Sequence, residues 1–161
     1  AAVALAVCFT ILMHTACLIP FPPDMDPLKK VRLGSVGLGH EVARLTEDLS
    51  PHYFIFSDRY MTASLLAFYM DGHPTTYCVN LNRRINDYDF RPTFHDLIGY
   101  DAIYVTPGDR NMPVELRDKF AQYHKHLVKT KSAIGSIENI YSVFLCSDFK
   151  GMKLEMPTRY N

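Results

Sequence analysis

The sequence predicts an α/β fold: a mostly parallel sheet flanked by helices with an antiparallel C-terminal edge, preceded by one transmembrane helix. Three observations support this fold class. The first 20 residues carry no formal charge. Short apolar runs of strand length then alternate with amphipathic stretches, as in sheets whose strands are joined by crossover helices. The last two apolar runs follow each other without a helix between them, which predicts an antiparallel pair at the sheet edge.

The uncharged N-terminal segment, residues 1–20, is the predicted transmembrane helix. At about 1.5 Å per residue it would be roughly 30 Å long, which matches the hydrocarbon thickness of a bilayer. Prolines then end the helix and predict a linker over 21–35, because proline cannot continue a helix without losing a hydrogen bond. A secretory signal-like segment and a buried core helix remain alternatives for this stretch.

Apolar residues at spacings of three and four predict three helices in a soluble domain, which the sequence places at 36–151 before a tail at 152–161. The helices are expected at 36–49, from a cap at Ser57 or Asp58 to Met70, and at 111–128. The apolar stripes of the first and third helices are Leu38, Val42, Leu45 and Leu49, and Leu116, Phe120, Tyr123 and Leu127.

Runs of aromatic and β-branched residues predict the strands of the domain. The predicted strands lie at 53–56, 75–79, 102–106, 133–137 and 141–146. We expect the last two to form a hairpin with its turn at Glu138 and Asn139.

The charge balance excludes one class of partner. Lysine plus arginine and aspartate plus glutamate number 17 each, so the net charge is zero. Because no basic run is present, the sequence predicts no nucleic-acid partner.

Cysteines and histidines give no metal signal. The four cysteines, at positions 8, 17, 78 and 146, form no CxxC pair, and the sequence predicts no metal site. A disulfide between Cys78 and Cys146 would require neighbouring strands and an oxidising compartment; otherwise both are buried thiols. His124 and His126 lie two residues apart, and on the predicted helix they would point in different directions.

The segment 80–99 is polar and irregular, and it is too long for a simple connection, which indicates a binding or interface loop. Arginines in it can make bidentate contacts to phosphate, and amides, carboxylates and an aromatic ring can bind a sugar. The predicted substrate-binding residues are Asn82, Arg83, Arg84, Asn86, Asp87, Tyr88 and Asp89. A solvated loop packed on its own domain is the alternative, and no residue of the chain is predicted to be catalytic.

A partial dinucleotide-binding pattern offers a second functional hypothesis. Gly37 and Gly39 precede a predicted helix, and Asp58 follows the next predicted strand about twenty residues later. The third position of the fingerprint is Val42 instead of glycine or alanine. A dinucleotide-binding oxidoreductase domain therefore stays as an alternative, beside a reading in which these glycines have a structural role.

The middle of the chain resembles a known family. The matching segments are 57–60 (SDRY), 63–69 (ASLLAFY) and 77–90 (YCVNLNRRINDYDF), with 102–105 (AIYV) and 143–146 (VFLC) where strands are expected. These segments resemble the C-terminal extracytoplasmic domain of bacterial membrane glycosyltransferases of family 39, relatives of protein O-mannosyltransferases and of the lipid A aminoarabinose transferase.

The resemblance implies a function and a location. Such enzymes move a sugar from a polyprenyl-phosphate donor to an acceptor on the outer side of the inner membrane. Their catalytic aspartate lies in a loop that would fall upstream of Ala1, so the resemblance implies no catalytic residue and no cofactor here. The implied partners are the lipid bilayer, an upstream membrane module and the lipid-linked sugar donor. Lys29, Lys30 and Arg32 by themselves favour the cytoplasmic side. A membrane-anchored interaction domain without enzymatic partners is a third hypothesis.

Overall fold

The structure is a computed structural model that describes residues 2–15, 35–91, 94–131 and 138–152. Its helices are α1 (Ala2–Thr15), α2 (Ser35–Thr46), α3 (Tyr60–Tyr69) and the short α4 (Val114–Arg117). Its strands are β1 (Tyr53–Ser57), β2 (Thr76–Cys78), β3 (Asp101–Pro107), β4 (Phe120–Lys131) and β5 (Glu138–Phe149). Two 3-10 turns, Asp87–Phe90 and Phe94–Leu97, lie between β2 and β3.

The strands form one mixed sheet in the order β2-β1-β3-β5-β4. β1 pairs in parallel with β2 and with β3, whereas β5 pairs antiparallel with β3 and with β4. The antiparallel pairings are the longer ones, and that between β4 and β5 runs from Phe120 opposite Phe149 to Lys131 opposite Glu138. The prediction of a mostly parallel sheet is therefore wrong, although its parallel half and its antiparallel C-terminal edge are both present.

The two faces of the sheet are covered differently. Helices α2 and α3 pack on one face, where Leu38, Val42 and Leu66 meet Ile55 and Ile103. The opposite face is aromatic, and the residues that form and cover it are Phe54, Phe56, Tyr104, Phe144, Phe94, Met112, Leu116 and Phe120. Among the described residues this second face is covered by turns and by the four-residue α4, so the expected flanking helices lie on one face alone.

Sequence prediction succeeded from α2 to β3. α2, β1, α3, β2 and β3 all lie where the apolar patterns placed them, within a few residues at each end. The predicted cap of α3 is wrong in detail. Its N-cap residue is Arg59 without a side-chain cap, while Ser57 Oγ accepts a hydrogen bond from the Arg59 N–H at 3.0 Å.

The helix predicted over 111–128 is wrong. Only Val114–Arg117 is helical, and β4 follows it at once. Leu116 and Phe120 are buried as predicted, but Tyr123 and Leu127 are 39 % and 50 % exposed, so the four residues do not share a buried helical face. The long pairing with β5 satisfies the backbone of this segment.

The predicted hairpin turn is also displaced. Glu138 and Asn139 are strand residues of β5, paired with Lys131 and Thr130. The strand predicted at 133–137 lies outside the described residues, as does the predicted tail from residue 153 onward.

The predicted transmembrane helix over 1–20 is wrong for the part of it that the structure describes. Helix α1 has 14 residues and a length of about 21 Å. Within residues 2–15, 35–91, 94–131 and 138–152, no helix combines the length and the apolar character that a membrane crossing requires. The segment is uncharged, but it is not apolar throughout. Near the end of α1 the side chains of His14 and Thr15 are polar, and they hydrogen-bond to the carbonyl oxygens of Thr10 and Ile11. Residues 16–20 and almost all of the predicted linker lie outside the described ranges.

Candidate functional site

The parallel half of the sheet has the topology of a ligand-binding edge. The chain leaves β1 through α3 on the helical face to reach β2 on one side, and it returns past Phe94 on the aromatic face to reach β3 on the other side. The connections from neighbouring strands thus diverge between β1 and β3. In open sheets with parallel strands, ligands bind outside the carboxyl ends of the strands at such a switch point.

Two polar residues occupy this point. Phe56 of β1 lies opposite Tyr104 of β3, and the side chains of Asp58, just after β1, and Thr106 both lie within hydrogen-bond reach of the Tyr104 phenol. Asp58 Oδ1 and Thr106 Oγ1 are both buried, and among the described residues the Tyr104 phenol is the side-chain group that lies within hydrogen-bond reach of Asp58 and Thr106. The nearest cation to Asp58 is Arg59, whose Nε lies 3.6 Å from Oδ2. We call Asp58, Tyr104 and Thr106 the edge site.

Tyr104 is the neutral member of the edge site. Burial raises the pKa of its phenol, and the charge of Asp58 and hydrogen bonding to that carboxylate raise the pKa further, while hydrogen bonding to Thr106 and the charge of Arg110 lower it. The phenol therefore keeps its proton at physiological pH, and its O–H is positioned to donate to Asp58 and to accept from Thr106.

The loop after β3 is held in place beside the edge site. Ser142 Oγ donates to the Gly108 carbonyl at 2.9 Å and accepts from the Arg110 N–H at 2.8 Å. Gly108 has φ +87°, a conformation that side-chain-bearing residues rarely adopt. The exposed side chain of Arg110 is thereby presented by a fixed backbone.

The loop after β2, residues 80–91, is the polar loop, and a bidentate ion pair organises it. Arg83 Nη1 donates to Asp89 Oδ2 at 2.8 Å and Nη2 donates to Asp89 Oδ1 at 3.1 Å. Both side chains are largely buried, with 16 % and 9 % exposed. Burial alone would raise the pKa of the Asp89 carboxyl, but hydrogen bonds from Arg83 and from the Asn86 N–H, with the Arg83 charge, lower it below its usual value. The carboxylate is therefore held ionised.

Two asparagines close the backbone of the polar loop. Asn80 Oδ1 accepts from the Arg83 N–H at 3.0 Å, and Asn86 Oδ1 accepts from the Tyr88 N–H at 2.9 Å. Asp89 Oδ2 in turn accepts from the Asn86 N–H at 2.8 Å, which completes a reciprocal cap of the 3-10 turn.

The far end of the polar loop is fixed to α3. Tyr88 Oη lies 3.0 Å from Ser64 Oγ. The guanidinium of Arg91 lies 4.5 Å from the centroid of the Tyr88 ring, and it donates to Asp87 Oδ2 from Nε at 2.9 Å and from Nη2 at 2.6 Å. The loop is thus packed on its own domain, as the alternative sequence interpretation described.

The seven residues predicted to bind substrate fall into three groups. Arg83, Asn86, Tyr88 and Asp89 hold the loop together, and Asp87 pairs with Arg91. The side chains of Asn82 and Arg84 are exposed. Two buried donors in the loop, Arg83 Nε and Asn86 Nδ2, have no acceptor among the described residues.

Sequence reasoning missed most of the edge site. Tyr104 and Thr106 appeared only as strand residues, and Asp58 was considered only as the carboxylate of a dinucleotide fingerprint. The alternation along 102–106 does place Tyr104 and Thr106 on one face. Their proximity to Asp58 depends on the pairing of β1 with β3, which a single sequence does not supply.

Both glycines of the dinucleotide pattern lie within helix α2, Gly37 in its first turn and Gly39 in its second. A Cβ on Gly39 would lie 2.7 Å from the Tyr69 carbonyl oxygen, so this glycine allows α2 and the end of α3 to approach closely. Close packing of α2 against α3 thus accounts for Gly39, and the dinucleotide hypothesis stays a prediction.

The structure also shows where the cysteines and histidines considered in the sequence lie. Cys78 and Cys146 are free and buried, and β2 is separated from β5 by two strands, about 14 Å, which excludes a disulfide between them. His124 and His126 lie on strand β4, where residues two apart share a face, contrary to the helix-based expectation. The described part of the chain contains no group of three or more His, Cys, Asp or Glu residues suited to a metal ion.

Comparison of the chain with protein-family models, with curated proteins and with solved structures finds no match.

Proposed function

We propose that this chain is a binding domain for a sugar carried on a phosphate. More specifically, we propose that it is the C-terminal extracytoplasmic domain of a family 39-type membrane glycosyltransferase, with a polyprenyl-phosphate-linked sugar as the donor. The proposal draws on the resemblance of segments 57–60, 63–69 and 77–90 and on the polar loop that the last of them forms.

One observation carries the proposal: the polar loop holds two buried donors that its own contacts leave unused, Arg83 Nε and Asn86 Nδ2. A buried donor without an acceptor costs about 1–3 kcal/mol, so a ligand that brings acceptor oxygens is favoured there. Phosphate and sugar oxygens are acceptors of this kind. The exposed Arg84 side chain adds positive charge at the loop surface.

The role proposed for the domain is binding or assembly, with the chemical step performed by an upstream membrane module. The polar loop faces the acceptor or the lipid-linked donor on the extracytoplasmic side of the inner membrane. Helix α1 is consistent with apolar neighbours such as that module or the lipid bilayer, because its side chains Val3, Leu5 and Phe9 are more than half exposed.

A titration of the chain with a short-chain prenyl phosphate sugar, followed by backbone amide resonances, tests the proposal. We expect saturable shifts in residues 80–91. Arg84→Ala should weaken binding about three- to tenfold, as expected for the loss of one exposed charge contact, and Asn86→Asp, which keeps the oxygen that caps the Tyr88 N–H but removes the Nδ2 donor, should weaken it at least as much. Arg44→Ala, which removes an exposed arginine paired with Glu41 on α2, is the matched control and should leave affinity unchanged.

Titrations with parts of the ligand show which part the loop recognises. The same prenyl phosphate without sugar should bind the loop more weakly, and inorganic phosphate should bind most weakly. Loop resonances that stay unchanged with all three probes would overturn the proposed function.

A further inference from the structure

The outer side of strand β4 has no partner strand in the part of the chain that the structure describes. β4 lies at one end of the sheet and pairs with β5 alone. In an antiparallel pair, every second residue of a strand turns its N–H and C=O away from its partner. Along 120–131 these groups form a row of backbone donors and acceptors, and an extended chain would add to such a row as a further strand.

The side chains of β4 are divided between the two faces of the sheet. Tyr123 lies on the aromatic face, because its ring centroid is 6.1 Å from that of Phe144. Residues two positions apart share a face of a strand. The residues that follow Tyr123 on the aromatic face are Lys125, Leu127, Lys129 and Lys131. β4 therefore presents basic and apolar side chains together on one face.

The apolar side chains on this face are only partly covered. Tyr123, Leu127 and Ile140, which lies opposite Lys129 on β5, are each more than one third exposed. Helices α2 and α3 lie on the other face of the sheet. A strand added to β4 would place its own apolar side chains beside Tyr123 and Leu127 and would shield them from water.

The charged residues of β4 are all positive. They are Lys125, Lys129 and Lys131. Asp109 pairs with Lys125 and Glu138 pairs with Lys129, but both acids belong to segments on the inner side of β4, the loop after β3 and strand β5. A chain that approaches from the outer side therefore meets lysines.

These charges select the kind of strand that can pair with β4. A second copy of β4 would bring the lysines of two strands together without an acid between them, and lysines at sheet edges oppose pairing of this kind. A neutral strand would supply no compensating charge. An acidic strand gains a favourable cross-strand pair at each carboxylate that faces a lysine.

We infer that the outer edge of β4 binds an extended acidic segment of another protein. The segment adds to the sheet as an antiparallel strand, with carboxylates opposite Lys125 and Lys129 and apolar side chains opposite Tyr123 and Leu127. The inference does not rest on the proposed function, because it involves neither the polar loop nor a sugar.

Titration with the blocked peptide ETETVTETV, followed by backbone amide resonances, tests the inference. Paired antiparallel with 123–131, this peptide places valines opposite Tyr123 and Leu127 and glutamates opposite the lysines. We expect saturable shifts of amides in 121–131 and unchanged amides in 80–91. The matched control peptide KTKTVTKTV, which keeps the valines and reverses the charge, should not bind. Equal binding of the two peptides would overturn the inference.

Two methylated forms of the acidic peptide distinguish strand addition from attraction between charges. One carries N-methyl groups on its odd-numbered amides and the other on its even-numbered amides, so their charges are equal. Only every second N–H of an added strand points toward β4. One form should therefore lose binding, and the other should keep its Kd within about threefold of that of the unmodified peptide. Equal Kd values for the two forms would contradict strand addition.

Variants of the chain locate the contact. Lys129→Gln should raise the Kd of the acidic peptide about two- to fivefold, as expected for one exposed ion pair, and combining it with Lys125→Gln should raise the Kd about fivefold to tenfold. Arg44→Gln is the matched control, because it removes an exposed positive charge on α2, and it should leave the Kd unchanged. Thermal unfolding of each variant verifies that the fold is intact.

A second copy of the chain, or another part of the same chain, is the alternative occupant of this edge. In either case the outward amides of β4 would already be protected from hydrogen exchange without peptide, with a concentration dependence for a second copy. The acidic peptide would then produce no saturable shifts in 121–131, and the inference would be overturned. Because the polar loop reports separately through residues 80–91, failure of this inference and failure of the proposed function are distinguishable.

Discussion

The polar loop and the edge site lie at the same end of the sheet, yet they treat their polar groups in opposite ways. In the loop, Asp89 accepts hydrogen bonds from Arg83, Asn80 and the Asn86 backbone. In the edge site, Asp58 meets the neutral phenol of Tyr104, and its nearest cation contact is the 3.6 Å approach of Arg59 Nε to Oδ2. One buried carboxylate is therefore held by an ion pair within its own loop, and the other by a neutral side chain of a neighbouring strand.

The largest effect is expected from the ion pair of the polar loop. Asp89→Asn removes the charge that partners Arg83 and leaves a largely buried guanidinium without a carboxylate, so we expect about 3 kcal/mol lower stability. Chemical denaturation measures the loss, and amide exchange in residues 83–91 should accelerate while residues 57–59 change little. Equal acceleration in both regions would show that the edge site depends on the loop for its stability.

Lowering the pH should destabilise the polar loop before the edge site, without any substitution. Because the folded-state pKa of Asp89 lies below the usual value of 3.8, its contribution to stability is present above pH 4 and is lost as the pH falls through the lowered pKa. We expect amides of the polar loop to lose protection in that range before the rest of the domain. In Asp89→Asn this early loss should be absent, and its persistence would assign the transition to another carboxyl group.

A substitution in the helical layer that packs on the sheet should destabilise the polar loop and the edge site together. Gly39→Ala places a Cβ against the Tyr69 carbonyl at the end of α3, and we expect about 2 kcal/mol of destabilisation. Gly37→Ala is the control, because its Cβ would lie an ordinary 3.6 Å from Thr130 and alanine favours the helix. The midpoint temperatures of thermal unfolding of the two variants measure the difference. Equal stability of the two variants would mean that α2 and α3 separate easily, contrary to the close approach in the structure.

The smallest effect is expected from the exposed pair of the loop. Asp87 and Arg91 form a short contact, but 76 % and 54 % of their side chains are exposed, so water screens the pair. Asp87→Asn should change stability by at most about 0.5 kcal/mol in a denaturant titration. A loss as large as that of Asp89→Asn would show that burial is not what distinguishes the two carboxylates.

The sequence predicted the first half of the sheet well because its signals are local. The stripe of Leu38, Val42 and Leu45 and the apolar run of β1 each report burial directly, and both are buried as expected. In the second half the strand predicted at 141–146 lies within β5, but the helix predicted over 111–128 is wrong because β4 is an edge strand. Most of its side chains are exposed, so it shows no alternation, and the residues that happened to fit a helical stripe were Leu116 of α4 and three residues of β4.

The candidate site was predictable in part. Composition identified the polar loop, but it could not distinguish residues that bind each other from residues free to bind a ligand. Arg83 and Asp89 were chosen for chemistry that they direct toward each other. The edge site needed the register between Phe56 and Tyr104, which arises from packing between segments almost fifty residues apart.

The two buried cysteines provide internal reporters for these regions. Cys78 ends β2, just before the polar loop, and Cys146 lies in β5, at the centre of the antiparallel half. Burial raises the pKa of these thiols to about 11 and about 12, so neither forms a reactive thiolate in the folded chain. An alkylating reagent would therefore modify each one only when its own strand opens, and the two modification rates would time local opening beside the loop and unfolding of the sheet centre in a single experiment.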